Sequence, residues 1–481
     1  MRFKPLLATA LLLMSIPCPS QAQTALRDEP QVADALQKLD MWIEQELAYR
    51  EVPGLSIAIV YDHEIVWAKG YGYADLEKKT PATPSTVYRI GSITKVFTST
   101  AIMKLRDEGK LRLDDPVSSY LPWFHVRNPF PDEPEITVRE LLTHTSGLPR
   151  DVPFPAWTDH VFPTQAQLKE AESHLEVLYP PDTAYHYSNY GMAILGQIVA
   201  EVSGRPWAEY VDEEILRPLR MTSSSAAPGE ELLQRRATGY MRMMSDGTRK
   251  VYDYYDTKAV APAASMVCTV EDLSRFASLQ FREGPAGADQ ILRGSTLREM
   301  HRVHWVYEDF SRGRGLGFDV NRREGKTFVG KTGHIGGIGN RLLFVPREKI
   351  AVIVSLNADD ASTYSFASQA YKVVGPALLM ASNGPAAPKP ETDPAWQRYV
   401  GLYTDPWGEE YKVLILGGEL VMYSYEYPPS ENAASGYSKL TPVEGSTFRM
   451  PDNELVTFEL DDDGKVVRVK RRNDFIFPVE E

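Results

Sequence analysis

The sequence predicts an α+β fold: one antiparallel sheet flanked by helices, a helical lobe inserted into it, and a small C-terminal antiparallel β-barrel. Three observations predict this. Strand patterns lie at both ends of the first 382 residues, with helical patterns and long loops between them. A linker rich in proline and alanine occupies 383–394. Beyond it come short strand-like runs separated by Gly417-Gly418 and Asp462-Asp463-Gly464, which read as hairpin turns.

The elements follow in order. Val32, Leu36, Leu39, Ile43 and Leu47 give a helix over Gln31 to Arg50, ended by Val52-Pro53-Gly54. Leu55–Tyr61 and Glu64–Gly70 read as two strands joined at Asp62-His63. A helix enters at Ser92 and stops at Gly109. Further helices are expected over Gly191–Gly204 and Glu271–Arg282, the second with Thr269 as N-cap. Strands return at Phe318–Arg322, Arg341–Val345 and Ile350–Ser355, followed by a helix from Ser365 to Ala381. The tail strands are Tyr399–Tyr403, Tyr411–Leu416, Glu419–Tyr425, Ser446–Met450, Leu455–Leu460 and Val466–Arg471. The domain reading is 1–22 leader, 23–382 main domain (31–115 and 315–382 around a lobe at 116–314), 383–394 linker, and 395–481 β-domain.

Composition narrows the function. Arg2 and Lys4, the apolar run Leu6–Ile16 and Ser20-Gln21-Ala22 read as a secretory leader, which implies a secreted, periplasmic protein. Cys18 raises a lipid anchor, but Pro17 before it fits lipoprotein processing poorly. No later run is expected to span a membrane. Removing the leader takes the formal charge from −13 to −15, which argues against nucleic acid as a partner. Cys268 would then stand alone, without a disulfide or metal role, as a small buried residue.

The chemistry centres on Ser92-Ile93-Thr94-Lys95. Residues three apart share a helix face, so Lys95 can place its amine beside the Ser92 hydroxyl. A serine needs a base, and a lysine serves when burial lowers its pKa. A single Ser-x-x-Lys is weak, since a capping serine and a solvated lysine explain it equally. Two further pieces change that. Tyr187-Ser188-Asn189 precedes a helix; a tyrosine near two lysines can pass protons, its phenolate stabilised by the cations, and an asparagine amide can donate to a substrate carbonyl. Tyr187 could equally be one of many hydrogen-bonded core tyrosines. Lys331-Thr332-Gly333-His334 sits in strand-like surroundings. Lys331 offers a cation to a substrate carboxylate or to Tyr187. Gly333 lets a substrate backbone approach, and the His334 and Ser92 backbone N–H groups would form an oxyanion hole.

Other motifs compete less well. Gly325 to Thr332 matches the phosphate-loop pattern G-x-x-x-x-G-K-T, which would make a nucleotide hydrolase, but a strand rather than a helix is expected after it. His301 and His304, one turn apart, read as a solvated face without a third metal ligand. His144 reads as structural.

Ser92-x-x-Lys95, Tyr187-x-Asn189 and Lys331-Thr332-Gly333 in this order resemble the three motifs of penicillin-binding proteins and serine β-lactamases. The Lys331–Asn340 segment is similar to the class C branch, which includes DD-peptidases, D-aminopeptidases and esterases; the tail resembles the lipocalin-like domain of some members. The resemblance implies a serine hydrolase working through an acyl-enzyme on a D-amino-acid peptide, a β-lactam or a small ester. Ser92 would be the nucleophile, with Lys95 and Tyr187 handling its proton. Asn189, Lys331, Thr332, Gly333 and His334 would hold the substrate, with no metal or organic cofactor. A non-turnover penicillin or peptidoglycan sensor is the alternative. The partner is a small molecule or peptide, and the oligomeric state stays open.

Overall fold

The computed structural model describes residues 26–384, 388 and 390–479. The leader at 1–22, with Cys18, lies outside the described residues, as does part of the linker. No helix among the described residues is long and apolar enough to cross a membrane.

The main sheet has nine antiparallel strands drawn from both ends of the first domain. Gly54–Tyr61 is an inner strand, paired with Glu64–Asp75 on one side and Ile350–Leu356 on the other, in the register Leu55↔Leu356 to Tyr61↔Ile350. Ile338–Val345, Lys326–Ile335 and Asp319–Arg323 continue it outward. The period-two geometry of a strand explains the unbroken apolar runs. Ile350, Val352, Val354 and Leu356 pack under the helices Pro30–Tyr49 and Thr363–Asn383, whereas Ala351 and Ile353 join the core of the helical lobe. Both faces are therefore buried, as the sequence pattern requires.

Several expectations are corrected. The lobe boundary at Gly315 falls inside the sheet, because Trp305–Val306 and Arg312–Arg314 already extend it. They escaped the sequence reading because short, partly exposed edge strands carry little apolar signal. Gly325–Thr332 is a turn running into the Lys326–Ile335 strand, with Arg323 opposite Lys326, so no helix N-terminus faces it and the phosphate-loop match is incidental. His301 is buried against Gln280, Nε2 to Oε1 at 2.9 Å, and burial holds its pKa down at about 3; the face it shares with His304 is packed rather than solvated. Cys268 is fully buried, and burial pushes its thiol far up.

The tail forms a nine-stranded antiparallel sheet. Its two end strands, Tyr437–Lys439 and Thr441–Glu444, are consecutive in the chain with only Leu440 between them, so the sheet curls into a nearly closed barrel. Both of these strands and Asp474–Pro478 were absent from the sequence reading, being short and mostly exposed. Pro394–Tyr399 is a 3₁₀ helix, so the first tail strand starts only at Gly401. Tyr399, Phe448, Val456 and Phe458 fill the interior.

The barrel docks on the two outer helices. Met41 packs with Leu414, Leu416, Val421 and Tyr423. Trp42 Nε1 donates to the Ser430 carbonyl at 2.9 Å, and Tyr423 Oη donates to Gln45 Oε1 at 2.7 Å. The Gly417 N–H donates to Asp34 at 2.9 Å. A chain ending at Asn383 exposes Met41 and Trp42, which are 5 % and 2 % accessible. It is expected to melt about 1–3 °C lower, the shift that a loss of roughly one to two kcal/mol gives in a chain of this length, while still labelling at Ser92. An unchanged melt, or lost labelling in a chain that still melts cooperatively, overturns this.

Candidate active site

The turn before the first buried helix sets the site. Gly91–Ile93 is a 3₁₀ turn that delivers Ser92 at the mouth of a cleft and continues into the helix Thr94–Asp107. Gly91 has φ +50°, and a Cβ there would lie 2.8 Å from the His334 N and O atoms. A Cβ on Gly333 would lie 1.9 Å from the Ile90 carbonyl oxygen. The space that Gly333 leaves is thus filled by the turn bearing Ser92, not by a substrate backbone as its position in the motif suggested. Asn340 ties the same turn to the sheet: its Nδ2 donates to the Arg89 carbonyl at 2.8 Å, and its Oδ1 accepts from Ser355 at 2.7 Å.

One turn on, Lys95 is fully buried. Its Nζ lies 2.8 Å from Asn189 Oδ1, 2.9 Å from the Ala263 carbonyl and 3.2 Å from Ser92 Oγ. Burial, then the charge of Lys331, hold its pKa well below the ordinary lysine value. As a neutral amine, Lys95 has two N–H groups for the two amide-type oxygens and a lone pair for the serine hydroxyl.

Tyr187 Oη lies 2.7 Å from Ser92 Oγ. Burial pushes its pKa up to about 12, against the bond to Ser92 and the charge of Arg150. The expected stabilised phenolate is therefore overturned: desolvation outweighs the cations, and Tyr187 is a neutral phenol. Its ring stacks on His144 at 4.6 Å. His144 is structural as expected, since its Nδ1 accepts from the Ser188 N–H at 3.3 Å and burial keeps it neutral. Ser188 caps the helix Asn189–Ser203 through the Gly191 N–H and donates to the Pro149 carbonyl.

Asn189 carries an additional contact. Its Oδ1 faces Lys95 and one Nδ2–H donates to Asp151 Oδ1 at 2.8 Å; the amide has a second N–H, and Asn189 lines the cleft. Trp157 Nε1 donates to the same Asp151 oxygen at 2.8 Å. Asp151 belongs to no motif in the sequence, and only the fold brings it to Asn189.

Lys331 is 4 % accessible and lies 5.7 Å from the Tyr187 ring centroid. Its Nζ donates to Asp319 Oδ1 at 3.3 Å rather than to Tyr187. Burial raises the Asp319 carboxyl, but Lys331, Arg314 and Arg341 outweigh it and hold the group below the usual carboxylate range. Arg314 also bonds to Asp319 and donates to Tyr307 Oη at 2.6 Å, and Arg341 bonds to Thr332 Oγ1. Neither Asp319 nor the arginines stood out in the sequence, because single charged residues in strand-like stretches carry no motif. His334 directs its imidazole away, to Asp359 at 2.7 Å, which leaves its backbone beside Gly91.

Ser92, Tyr187, Asn189, Lys331, Thr332 and His334 line one cleft of about 460 Å³, together with Arg150, Trp157, Tyr185 and Arg314. All eight residues singled out in the sequence thus converge here, with Lys95 and Gly333 just beneath the surface.

Comparison with known proteins agrees with this geometry. Protein flp of Staphylococcus aureus (strain MRSA252) is 30% identical over 329 residues, 67% of this chain and 63% of that protein. Beta-lactamase-like protein 2 of Dictyostelium discoideum is 28% identical, over 72% of this chain and 64% of its own length. The chain thus spans a little under two thirds of the length of these curated relatives. Among solved structures, the octameric penicillin-binding protein homologue from Pyrococcus abyssi is 25% identical with a TM-score of 0.62, covering 92% of this chain and 99% of that one. The β-lactamase/D-alanine carboxypeptidase from Yersinia pestis complexed with citrate shares the fold at 22% identity and a TM-score of 0.60, over 72% of this chain and 98% of its own. The sequence model of the Beta-lactamase family matches residues 39–372, and this chain belongs to that family.

Proposed function

We propose that this protein is a secreted serine hydrolase that cleaves an amide or ester through an acyl-enzyme on Ser92. The observation that carries the reading is the buried Lys95 amine, held by Asn189 and Ala263 with its remaining valence on Ser92 Oγ. In the first step Lys95 takes the Ser92 proton as Oγ bonds to the substrate carbonyl carbon. The carbonyl electron pair moves onto oxygen, where the Ser92 and His334 backbone N–H groups stabilise it. The carbon–leaving-group bond then breaks, and Tyr187, a neutral phenol beside Oγ, gives the leaving group its proton and is recharged from the Lys95 ammonium. Water repeats the sequence on the acyl-enzyme. Asn189 acts by aiming Lys95. Lys331, Thr332 and Arg314 present cations and a hydroxyl to a substrate carboxylate, which favours D-amino-acid peptides and β-lactams over neutral esters.

Labelling tests the nucleophile. A fluorophosphonate or penicillin adduct is expected on the peptide containing Ser92, and Ser92→Ala should abolish it; a stable adduct elsewhere sinks the mechanism. Turnover of a panel of nitrocefin, a D-Ala-D-Ala peptide, D-aminoacyl anilides and a p-nitrophenyl ester then separates a hydrolase from a sensor that acylates and stops.

Lys331→Ala separates recognition from proton handling. Loss of a charge-assisted hydrogen bond worth about 1.5–3 kcal/mol predicts a ~10- to 150-fold fall in kcat/KM on substrates with a carboxylate. Compared on the pH plateau, where Lys95 is fully deprotonated in both proteins, a neutral ester should lose much less. Equal losses on both would assign Lys331 to the proton machinery instead.

The pH profile carries its own sign. Activity should rise with pH as Lys95 loses its proton, well below the ordinary lysine range. Lys331 lowers the Lys95 pKa, so Lys331→Ala should move this rising limb to higher pH. Asp151 raises it, so Asp151→Asn should move the limb to lower pH. Shifts in the opposite directions would exclude Lys95 as the base.

A further inference from the structure

Beside the Ser92 cleft, and separated from it by Arg341, lies a second pocket of about 80 Å³. Its floor is Phe328 and Leu343, on the sheet face covered by the Thr363–Asn383 helix. Three cations line it: Arg323, Arg341 and Lys372. Glu324 is the one carboxylate among its described lining residues. The arginines lie against one ring, their guanidinium carbons 5.2 and 5.7 Å from the Tyr364 centroid.

Arg341 is the decisive member. It is 8 % accessible, and its Nε is buried without a hydrogen-bond partner. A buried guanidinium with an unmet donor is costly unless an anion completes it. The nearest negative charge behind it, Asp319, is already committed to Lys331 and Arg314. The other two cations stand on exposed positions at the rim, Arg323 on the strand end and Lys372 on the helix, where they cost little and concentrate positive potential over a small concave volume.

We propose that this pocket binds a small oxyanion, a phosphate or a carboxylate group, with Arg341 at its base and Arg323 and Lys372 closing over it. Planar guanidinium groups suit the paired oxygens of either anion. The Tyr364 ring, close to both guanidinium groups, is a shared contact for the two arginines. The proposal stands apart from the hydrolase reading, since it involves no turnover.

The test is calorimetric titration of the whole protein with sodium phosphate and, separately, with glutarate, at fixed ionic strength because screening weakens both. Saturable one-site binding of at least one anion is expected. The Arg323→Gln/Lys372→Gln variant, changed only at exposed positions and checked by its melt, should bind at least ~10-fold more weakly. Arg150→Gln, in the Ser92 cleft, should bind as the unaltered protein does. Binding of phosphate alone assigns a free or esterified phosphate; binding of glutarate assigns a carboxylate. The proposal is overturned if neither anion gives saturable heat, if the double variant binds undiminished, or if Arg150→Gln abolishes binding and so places the anion beside Ser92.

Discussion

The burial of one amine governs this structure. Placing an ammonium ion in a protein interior costs several kcal/mol even after relaxation. A neutral amine avoids most of that cost, and Lys95 meets two fixed acceptors and one hydroxyl. The same desolvation that would make a charged lysine expensive makes the neutral one available as a base. The site depends on keeping water away from this nitrogen, which the lobe core around Phe97, Met192 and Ala263 does.

Rigid placement follows from glycine and asparagine at the seam between the lobe and the sheet. The turn at 90–93 and the strand at 333–334 approach closely enough that a methyl group on either Gly91 or Gly333 would meet backbone atoms. Asn340, fully buried, links the Arg89 carbonyl to Ser355, its partner on the adjacent strand. Elements about 240 residues apart in the chain thus bring the turn that carries Ser92 against the His334 backbone. Asp151 does the corresponding work on the lobe side, because it decides which end of the Asn189 amide faces Lys95.

Electrostatics divide the cleft in two. Around Ser92 stand an amine, a phenol and an imidazole, whose charged forms burial disfavours. Around Lys331 the groups are charged, with Asp319 buried among Lys331, Arg314 and Arg341. The neutral half suits proton exchange and the charged half suits binding of an anion. The barrel adds nothing to either half directly; it packs on the helices that cover the far face of the sheet.

The sequence by itself determined the fold class, the order of its elements and the residues that meet in the cleft. It did so because helix spacing puts Lys95 beside Ser92, and the apolar run along Ile350–Leu356 marks a strand buried on both faces. Short spacing within a motif constrains geometry, so such residues are legible without coordinates. Only the tertiary structure decided what each one does. Asn189 gained a second task, holding Lys95, because Asp151 fixes its amide from 38 residues away. Gly333 turned from a gap for substrate into a seat for the Ser92 turn because Ile90 comes to it across the sheet. Tyr187 is a phenol and not a phenolate because its burial, a sum over many distant neighbours, outweighs the nearby cations. Desolvation and hydrogen-bond choice are properties of surroundings assembled from the whole chain, and no local pattern in a sequence encodes them.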